Sequence, residues 1–257
     1  MGKITVVGLG PGQWEHLTLE ALEMLEKAQR IFLRTEKHPM VEELRARGIA
    51  YSSFDRFYHE EDTFERVYAK IAETLVQEAE KGDLVYAVPG NPAVAETSYY
   101  LLLDLAKQRG IEVKTIPGMS FLEIAYERLG IDPVKGLQIL DGLDLKAQRM
   151  DTGKGLIITQ VYDRLIASEV KLALMEKFPA HYPVWVIRAA GVEGREIIEK
   201  VPLYKLDRLS YIDYLTSVYV PAAQDRGYDI NDLLEIMRVL RGEKGCPWDR
   251  EQDRQSL

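Results

Sequence analysis

Three short loops rich in glycine and proline are the residues best suited to chemistry in this sequence. They read GLGPG at 8–12, VPGNPAV at 88–94 and IPGMSF at 116–121, and each follows an apolar, strand-like run. Glycine leaves backbone groups accessible to a ligand, while the Asn91 amide can both donate and accept hydrogen bonds. Each loop alone could be a tight turn between a strand and a helix. Three of them at strand ends favour a ligand cleft.

Dinucleotide and triphosphate binding are alternative uses of the first loop. Gly8 and Gly10 fit the fingerprint Gly-x-Gly-x-x-Gly, but Gln13 stands where the third glycine belongs. Pro11 also removes a backbone N–H that would help to hold a pyrophosphate. No Gly-Lys-Ser/Thr follows, so the loop is not a Walker A motif. NAD binding stays open as an alternative that these departures disfavour.

Alternating strand-like and helix-like segments would position these loops. The predicted strands lie at 3–8, 31–34 and 49–54, and the segments 83–90 and 111–118 are each predicted as a strand followed by a turn. The predicted helices lie at 16–28, 39–47, 63–80 and 98–110. Thr18 is the predicted N-cap of the first helix, and Gly110 is the predicted end of the fourth. This alternation predicts a parallel sheet with helices on both faces. Because parallel strands end at one edge, the three loops should meet there.

The pattern restarts after Gly118 as a second αβ unit. Its predicted helices lie at 121–130 and 168–178, and its predicted strands at 137–140, 155–161, 182–190, 195–203 and 217–221. The tetrad GVEG at 191–194 suits the turn of an antiparallel hairpin. An amphipathic helix at 231–242 and a polar, helix-like segment from Cys246 follow. We therefore predict an α/β fold of two αβα lobes, with a mostly parallel N-terminal sheet, a mixed C-terminal sheet and a short helical C-terminal extension.

Composition and charge restrict the classes of partner. The 257 residues carry 33 Lys and Arg against 41 Asp and Glu, and the net charge of −8 disfavours nucleic acid, whose phosphates need a basic face. No apolar run approaches the roughly 20 residues of a membrane span, and no secretory leader is visible. Cys246 is the single cysteine, which excludes an internal disulfide. We expect a cytoplasmic protein that binds neither nucleic acid nor membrane.

The titratable residues form no evident metal site or catalytic set. The four histidines lack the spacing of ligands on one helix face and are predicted to be solvated, and the acidic run at 60–62 is predicted to be a solvated loop. Arg34, Lys37 and His38 cluster after a predicted strand, where they would either attract substrate carboxylates or solvate the loop. The histidines are His16, His38, His59 and His181.

The motifs GLGPG, PGNP and PGMS, in this order and at these spacings, resemble the tetrapyrrole (corrin/porphyrin) methylase family over roughly residues 1–222. The family's second motif usually reads Gly-Asp-Pro, whereas this sequence has Gly90-Asn91-Pro92. The resemblance implies S-adenosylmethionine as the cofactor, with S-adenosylhomocysteine as its product, bound between the lobes. The cofactor-binding residues that it implies are Pro11, Gly90, Asn91, Val94, Ser120, Phe121, Tyr162, Ala189 and Ala190.

The same resemblance implies a methyltransferase that acts on a small-molecule methyl acceptor and forms a homodimer. No catalytic residue is assigned, because methyl transfer mainly needs the nucleophile, carbon and sulfur to be aligned. A non-catalytic regulatory module that binds adenosylmethionine is an alternative. In either case Asn91→Trp should fill the cleft and abolish donor binding without unfolding the protein.

A second resemblance concerns residues 33–49 and 240–257. Both runs look like the bacterial branch in which the methylase is fused to a MazG-type nucleoside triphosphate pyrophosphohydrolase, most specifically at the motif GCPWD. This implies lobes at 1–117 and 118–222, followed at 223–257 by a linker and the start of a truncated all-α MazG-type domain. Pyrophosphohydrolase activity would then belong to the full-length protein, and we expect none in this chain.

Overall fold

The computed structural model describes residues 2–223, 230–243 and 245–251, without the side chains of 230–232 and 250. The first lobe is a five-stranded sheet in the order β3-β2-β4-β1-β5, and every pair of neighbouring strands is parallel. Its strands are β1 (Ile4–Gly8), β2 (Ile31–Leu33), β3 (Ser52–Ser53), β4 (Leu84–Val88) and β5 (Val113–Ile116). Its helices are α1 (Leu19–Lys27), α2 (Met40–Ala46), α3 (Phe57–Glu60), α4 (Phe64–Ala79) and α5 (Thr97–Arg109).

Helices cover both faces of this sheet, as the apolar strands require. Along β1, Ile4 and Val6 belong to the core cluster beneath α4 and α5, whereas Val7 belongs to the cluster beneath α1 and α2. Two local predictions are confirmed, since the Thr18 side chain caps α1 and Gly110 ends α5 at φ +66°. The strand predicted at 49–54 was too long, because only Ser52 and Ser53 pair with β2.

The second lobe contains a mixed sheet in the order β6-β7-β10-β8-β9. Only β6 and β7 pair in parallel, and the other three pairs are antiparallel. Its strands are β6 (Leu137–Asp141), β7 (Gly155–Thr159), β8 (Pro183–Arg188), β9 (Ile197–Pro202) and β10 (Thr216–Val220), and its helices are α6 (Phe121–Leu129) and α7 (Arg164–Met175). The hairpin predicted around GVEG is confirmed, since Arg188 pairs with Ile197 across it. The predicted α/β class with one parallel and one mixed sheet is therefore confirmed.

Two helices follow the second lobe. They are α8 (Ile230–Arg241) and α9 (Pro247–Glu251), and they agree with the predicted helical C-terminal extension. Apolar side chains of α8 are largely exposed, including Leu233 and Met237. Within the described ranges, no helix combines the length and apolarity needed to cross a membrane.

Candidate functional site

The three glycine loops converge at one edge of the first sheet. Strand β1 lies between β4 and β5, so the loops that follow these three strands are neighbours. Gly10 and Gly90 exchange two backbone hydrogen bonds of 3.2 and 2.8 Å. The Asn91 side chain donates to the Gly118 carbonyl at 2.9 Å and accepts from the Ala93 backbone at 2.9 Å. The second loop is therefore fastened to both of the others, as the sequence predicted from topology.

Two of these glycines are required by close backbone packing. A Cβ atom on Gly8 would lie 2.5 Å from the Gly118 nitrogen and 2.6 Å from the Gly90 carbonyl oxygen. A Cβ atom on Gly118 would lie 2.3 Å from that same oxygen. Contacts this short exclude any side chain. The junction of the loops is thus formed by backbone alone, which leaves a surface of small residues at the sheet edge.

The second lobe presents a matching edge at the carboxyl ends of β7 and β8. Both strands run antiparallel to β10, which lies between them, so both end on the same side of the sheet. The segment that enters β10 is held from both sides: Val161 donates to the Thr216 carbonyl at 3.1 Å and Ala189 to the Leu215 carbonyl at 3.0 Å. This edge carries the predicted site residues Tyr162, Ala189 and Ala190.

Backbone strain marks the same loops. Among the described residues, the non-glycine residues with positive φ are Ala95 (+52°), Gln160 (+58°) and Ala189 (+50°). Gln160 and Ala189 directly follow β7 and β8, and Ala95 lies in the loop after β4. Such strain is unfavourable and concentrates at functional sites, where the surrounding structure enforces it. Sequence analysis did not identify Ala95 or Gln160, because neither residue type signals a left-handed backbone.

The two edges face each other across contacts between the lobes. A Cβ on Gly12 would lie 2.9 Å from Val192, and a Cβ on Gly191 would lie 3.0 Å from the His16 ring of the first lobe. Elsewhere the rings of Phe64 and Tyr162 meet edge to face, with centroids 6.1 Å apart. The lobes thus touch at the first glycine loop and at the start of α4, on either side of the predicted ligand cleft.

The predicted site residues differ in burial and in their contacts. Ser120 caps α6 through a capping box with Glu123, which fixes the third loop, and Phe121 is half-buried at the first turn. Ala190 packs in an apolar cluster with Ala125 and Ile187, so its side chain supports α6. The remaining predicted residues are Pro11 and Ala189, which are buried, and Gly90, Asn91, Val94 and Tyr162, which are half-buried. Their contacts with a cofactor stay predictions.

A buried ion pair that sequence analysis missed lies at the same edge of the first sheet. Arg34, just after β2, places Nε 3.0 Å from the carboxylate of Glu96, and it donates to the Tyr58 hydroxyl at 2.8 Å. The other Glu96 oxygen accepts a 2.6 Å hydrogen bond from Ser98, whose hydroxyl also lies 2.6 Å from that of buried Tyr86. Arg34 therefore does more than solvate its loop, because its charge is balanced by Glu96.

His38 corrects the expectation that the histidines are solvated. It is only 6% exposed, its ring hydrogen-bonds the Gly10 backbone, and its Nδ1 has no hydrogen-bond partner in the described structure. Burial, followed by the charge of Arg34, lowers the pKa of His38 from 6.5 to about 4, although the hydrogen bond with Gly10 opposes this shift. A neutral imidazole thus holds the first glycine loop through its hydrogen bond to the Gly10 backbone.

We expect His38 to make stability depend on pH. The unfolded chain protonates His38 as the pH falls below about 6.5, whereas the folded protein protonates it only near pH 4. The stability that neutral His38 allows is therefore complete above pH 6.5 and is lost as the pH falls towards 4. The loss amounts to about 3 kcal/mol. Urea unfolding across this range should show a shallower pH dependence in His38→Asn. An unchanged slope would contradict the assignment, and exposed His59→Asn is the control.

The remaining acidic residues give no sign of a metal centre. In the part of the chain that the structure describes, no three His, Cys, Asp or Glu side chains group as ligands would. Glu60 and Glu61 of the acidic run both bind Lys70, at 2.8 and 2.7 Å. The run is therefore paired at the surface next to α4.

Comparison with known proteins decides the family. Residues 3–207 match the family described as Tetrapyrrole (Corrin/Porphyrin) Methylases. The chain belongs to this family. A relative from Bacillus subtilis (strain 168), the uncharacterized protein YabN, is 44% identical to this chain over 259 residues, which cover 100% of this chain and 53% of YabN. The chain thus spans about half the length of YabN.

Solved structures agree with the fold. Uroporphyrin-III-C-methyltransferase from Thermus thermophilus superposes with a TM-score of 0.67 at 23% identity, covering 86% of this chain and 95% of that one. A structure of a Thermus thermophilus uroporphyrin-III C-methyltransferase complexed with S-adenosylhomocysteine gives a TM-score of 0.59 at 17% identity, covering 85% and 97%. The family match agrees with the predicted cofactor, S-adenosylmethionine.

Proposed function

We propose that the methylase transfers the methyl group of S-adenosylmethionine to a small-molecule acceptor, with the donor held between the lobes. The observation that carries the proposal is the convergence of three glycine loops opposite the strained ends of β7 and β8. A cradle made mainly of backbone suits a reaction that depends on orienting its reactants.

The residues of the cleft fit such a donor. Gly8 and Gly118 leave room for close approach to the backbone, since no side chain fills their junction. Val94 and Phe121 are half-buried and offer apolar surface to the adenine, and small polar groups such as Ser120 stand at the start of α6. We assign the amino acid part of the donor to the backbone of the loops.

The bound donor supplies a methyl group on a positively charged sulfur. The part of the chain's own residues is to hold donor and acceptor in line and to keep water out, which the contacts between the lobes serve. Hydrogen bonds at Gly10, Gly90 and Asn91 fix the loops in advance. Less conformational freedom is then lost when the donor binds.

Calorimetric titration tests the proposal directly. S-adenosylmethionine and S-adenosylhomocysteine should each bind in the micromolar range, and NAD should not displace them. Absence of binding by both sulfur compounds would overturn the proposal. Binding without turnover on any methyl acceptor would instead support the alternative of a regulatory module.

Val94→Trp is the sharper substitution for blocking the donor. The sequence suggested Asn91→Trp, but the Asn91 amide fastens the second loop, so its loss would also release that loop. We expect Val94→Trp to weaken S-adenosylhomocysteine binding at least about 100-fold, because the larger ring occupies the cleft. Val134→Trp, at a position 91% exposed, is the matched control. Equal affinities of the two variants in calorimetry would contradict the placement of Val94.

We further propose that residues 223–257 lead into a MazG-type pyrophosphohydrolase domain in a longer protein. Two observations support this: YabN is about twice as long as this chain, and α8 exposes apolar side chains that a following domain would cover. The 257-residue chain should release no pyrophosphate from nucleoside triphosphates with Mg²⁺, whereas the longer protein should. Release by the pure 257-residue chain would contradict the proposal.

A further inference from the structure

Four aromatic rings meet where the two lobes touch, and one of them belongs to Tyr162, which is also a predicted donor-binding residue. Phe64 and Tyr68 of α4 stack with centroids 6.2 Å apart, and Tyr58 meets both of them edge to face. Phe64 in turn meets Tyr162 of the second lobe at 6.1 Å. We call Tyr58, Phe64, Tyr68 and Tyr162 the aromatic wall. Phe64 is 44% exposed, so an apolar ring at the centre of the wall is open to a ligand.

Carboxylates lie next to this wall, and its buried cation is neutralised. Asp163 follows Tyr162 directly, and Asp141 accepts a 3.0 Å hydrogen bond from Gln160 on the same loop. On the other side, the cation of Arg34 is paired with the buried carboxylate of Glu96. A ligand at the wall therefore meets carboxylates and phenols rather than a free buried cation.

The arginines at the second-lobe edge are also paired. Arg188 binds Asp213 at 2.6 Å, and Arg195 binds Glu42 across the lobes at 3.1 Å. Lys37 and Arg56 lie on the loops after β2 and β3, where both are exposed to water that screens their charge. A ligand with several carboxylates would have to compete with these ion pairs and approach like charges.

We propose that the aromatic wall is the acceptor subsite and that it takes a ring-bearing acceptor that is uncharged or cationic, not a polycarboxylate. This inference rests on the proposed function, because it assigns the acceptor to the same cleft. Ring faces and edges attract flat apolar groups and cations, and the neighbouring carboxylates strengthen the attraction for a cation. The negative net charge of the chain acts in the same direction.

Two porphyrins of similar size and opposite charge are the probes. Tetrakis(N-methylpyridyl)porphyrin carries four positive charges, and uroporphyrin III carries eight carboxyl groups. Absorbance titrations are run at about 0.15 M salt on protein saturated with S-adenosylhomocysteine, so that nonspecific attraction is screened. The cationic ring should bind saturably and at least about tenfold more tightly than the octacarboxylate.

Substitutions locate the binding. Phe64→Ala and Phe64→Leu should each weaken the cationic porphyrin about tenfold, because the leucine keeps apolar bulk but lacks the ring, whereas exposed Val134→Ala should not. Asp163→Asn should also weaken it severalfold, since asparagine can still cap α7 but carries no charge. Asp132→Asn, at another capping aspartate on an exposed turn, is the matched control and should have no effect.

The outcomes separate this inference from the proposed function. Tighter binding of the octacarboxylate, or binding of the cationic ring that is insensitive to Phe64→Ala, would overturn the acceptor subsite while S-adenosylhomocysteine still binds. Failure of S-adenosylhomocysteine to bind in calorimetry would overturn the methyltransferase proposal itself.

Discussion

Replacing Gly8 with alanine should abolish binding of S-adenosylhomocysteine and lower the free energy of unfolding by about 1–3 kcal/mol. The added Cβ would lie 2.5 Å from the Gly118 nitrogen and 2.6 Å from the Gly90 oxygen, both backbone atoms. Backbone cannot rotate away as a flexible side chain can, so the three loops must move apart. Because the proposed donor cradle consists of these loops, binding should suffer more than stability. Calorimetry and urea unfolding measure the two effects.

Gly110→Ala is the control for Gly8→Ala. Gly110 has a positive φ of +66° but nothing within 4 Å of its would-be Cβ, so alanine there is strained without a clash. We expect a loss of about 1 kcal/mol in stability and unchanged donor affinity. Gly118→Ala should reproduce the Gly8→Ala result from the opposite side of the junction. Wild-type affinity in Gly8→Ala would show that the glycine junction does not form the donor site.

Removing the Glu96 carboxylate should lower the free energy of unfolding by about 3–5 kcal/mol. The side chain of Glu96 is 6% exposed and that of Arg34 is 21% exposed, so Glu96→Ala leaves a largely buried guanidinium without its counter-charge. Ser98 also loses the carboxylate that accepts its hydrogen bond. Urea unfolding of the variant measures the loss.

A double substitution distinguishes loss of the ion pair from loss of packing. Arg34→Met combined with Glu96→Leu removes both charges and keeps apolar volume, so it should recover most of the stability lost in Glu96→Ala. Glu42→Ala, which breaks the exposed pair with Arg195, is the control and should change stability by about 1 kcal/mol or less. A double variant as unstable as Glu96→Ala would show that the charge imbalance is not the cause.

Side chains and backbone have separate structural roles around the three glycine loops. The ion pair and the buried His38 lie at the same sheet edge as the loops, whereas the junction of the loops is formed by glycine backbone. Methyl transfer from a sulfonium needs alignment more than proton transfer. A rigid backbone cradle next to a buried, charge-neutral ion pair would meet that need.

Sequence alone determined most of the elements and the convergence of the three glycine loops. Apolar periodicity located most strands and helices, and local chemistry identified Thr18 as a cap and Gly110 as a helix end. The order of parallel strands then required the loops at 8–12, 88–94 and 116–121 to meet, and the structure joins them by hydrogen bonds. These features depend on neighbours in the chain and on the order of the strands, and a pattern of residue types reveals both.

Only the tertiary structure decided which distant residues meet. Nothing near Arg34 in the sequence points to Glu96, and nothing near Phe64 points to Tyr162. The burial of His38 and the left-handed backbone of Gln160 were likewise not visible, because burial and strain are imposed by elements packed from far along the chain. Periodicity shows which face of an element is apolar, but only packing shows what that face and its polar neighbours contact.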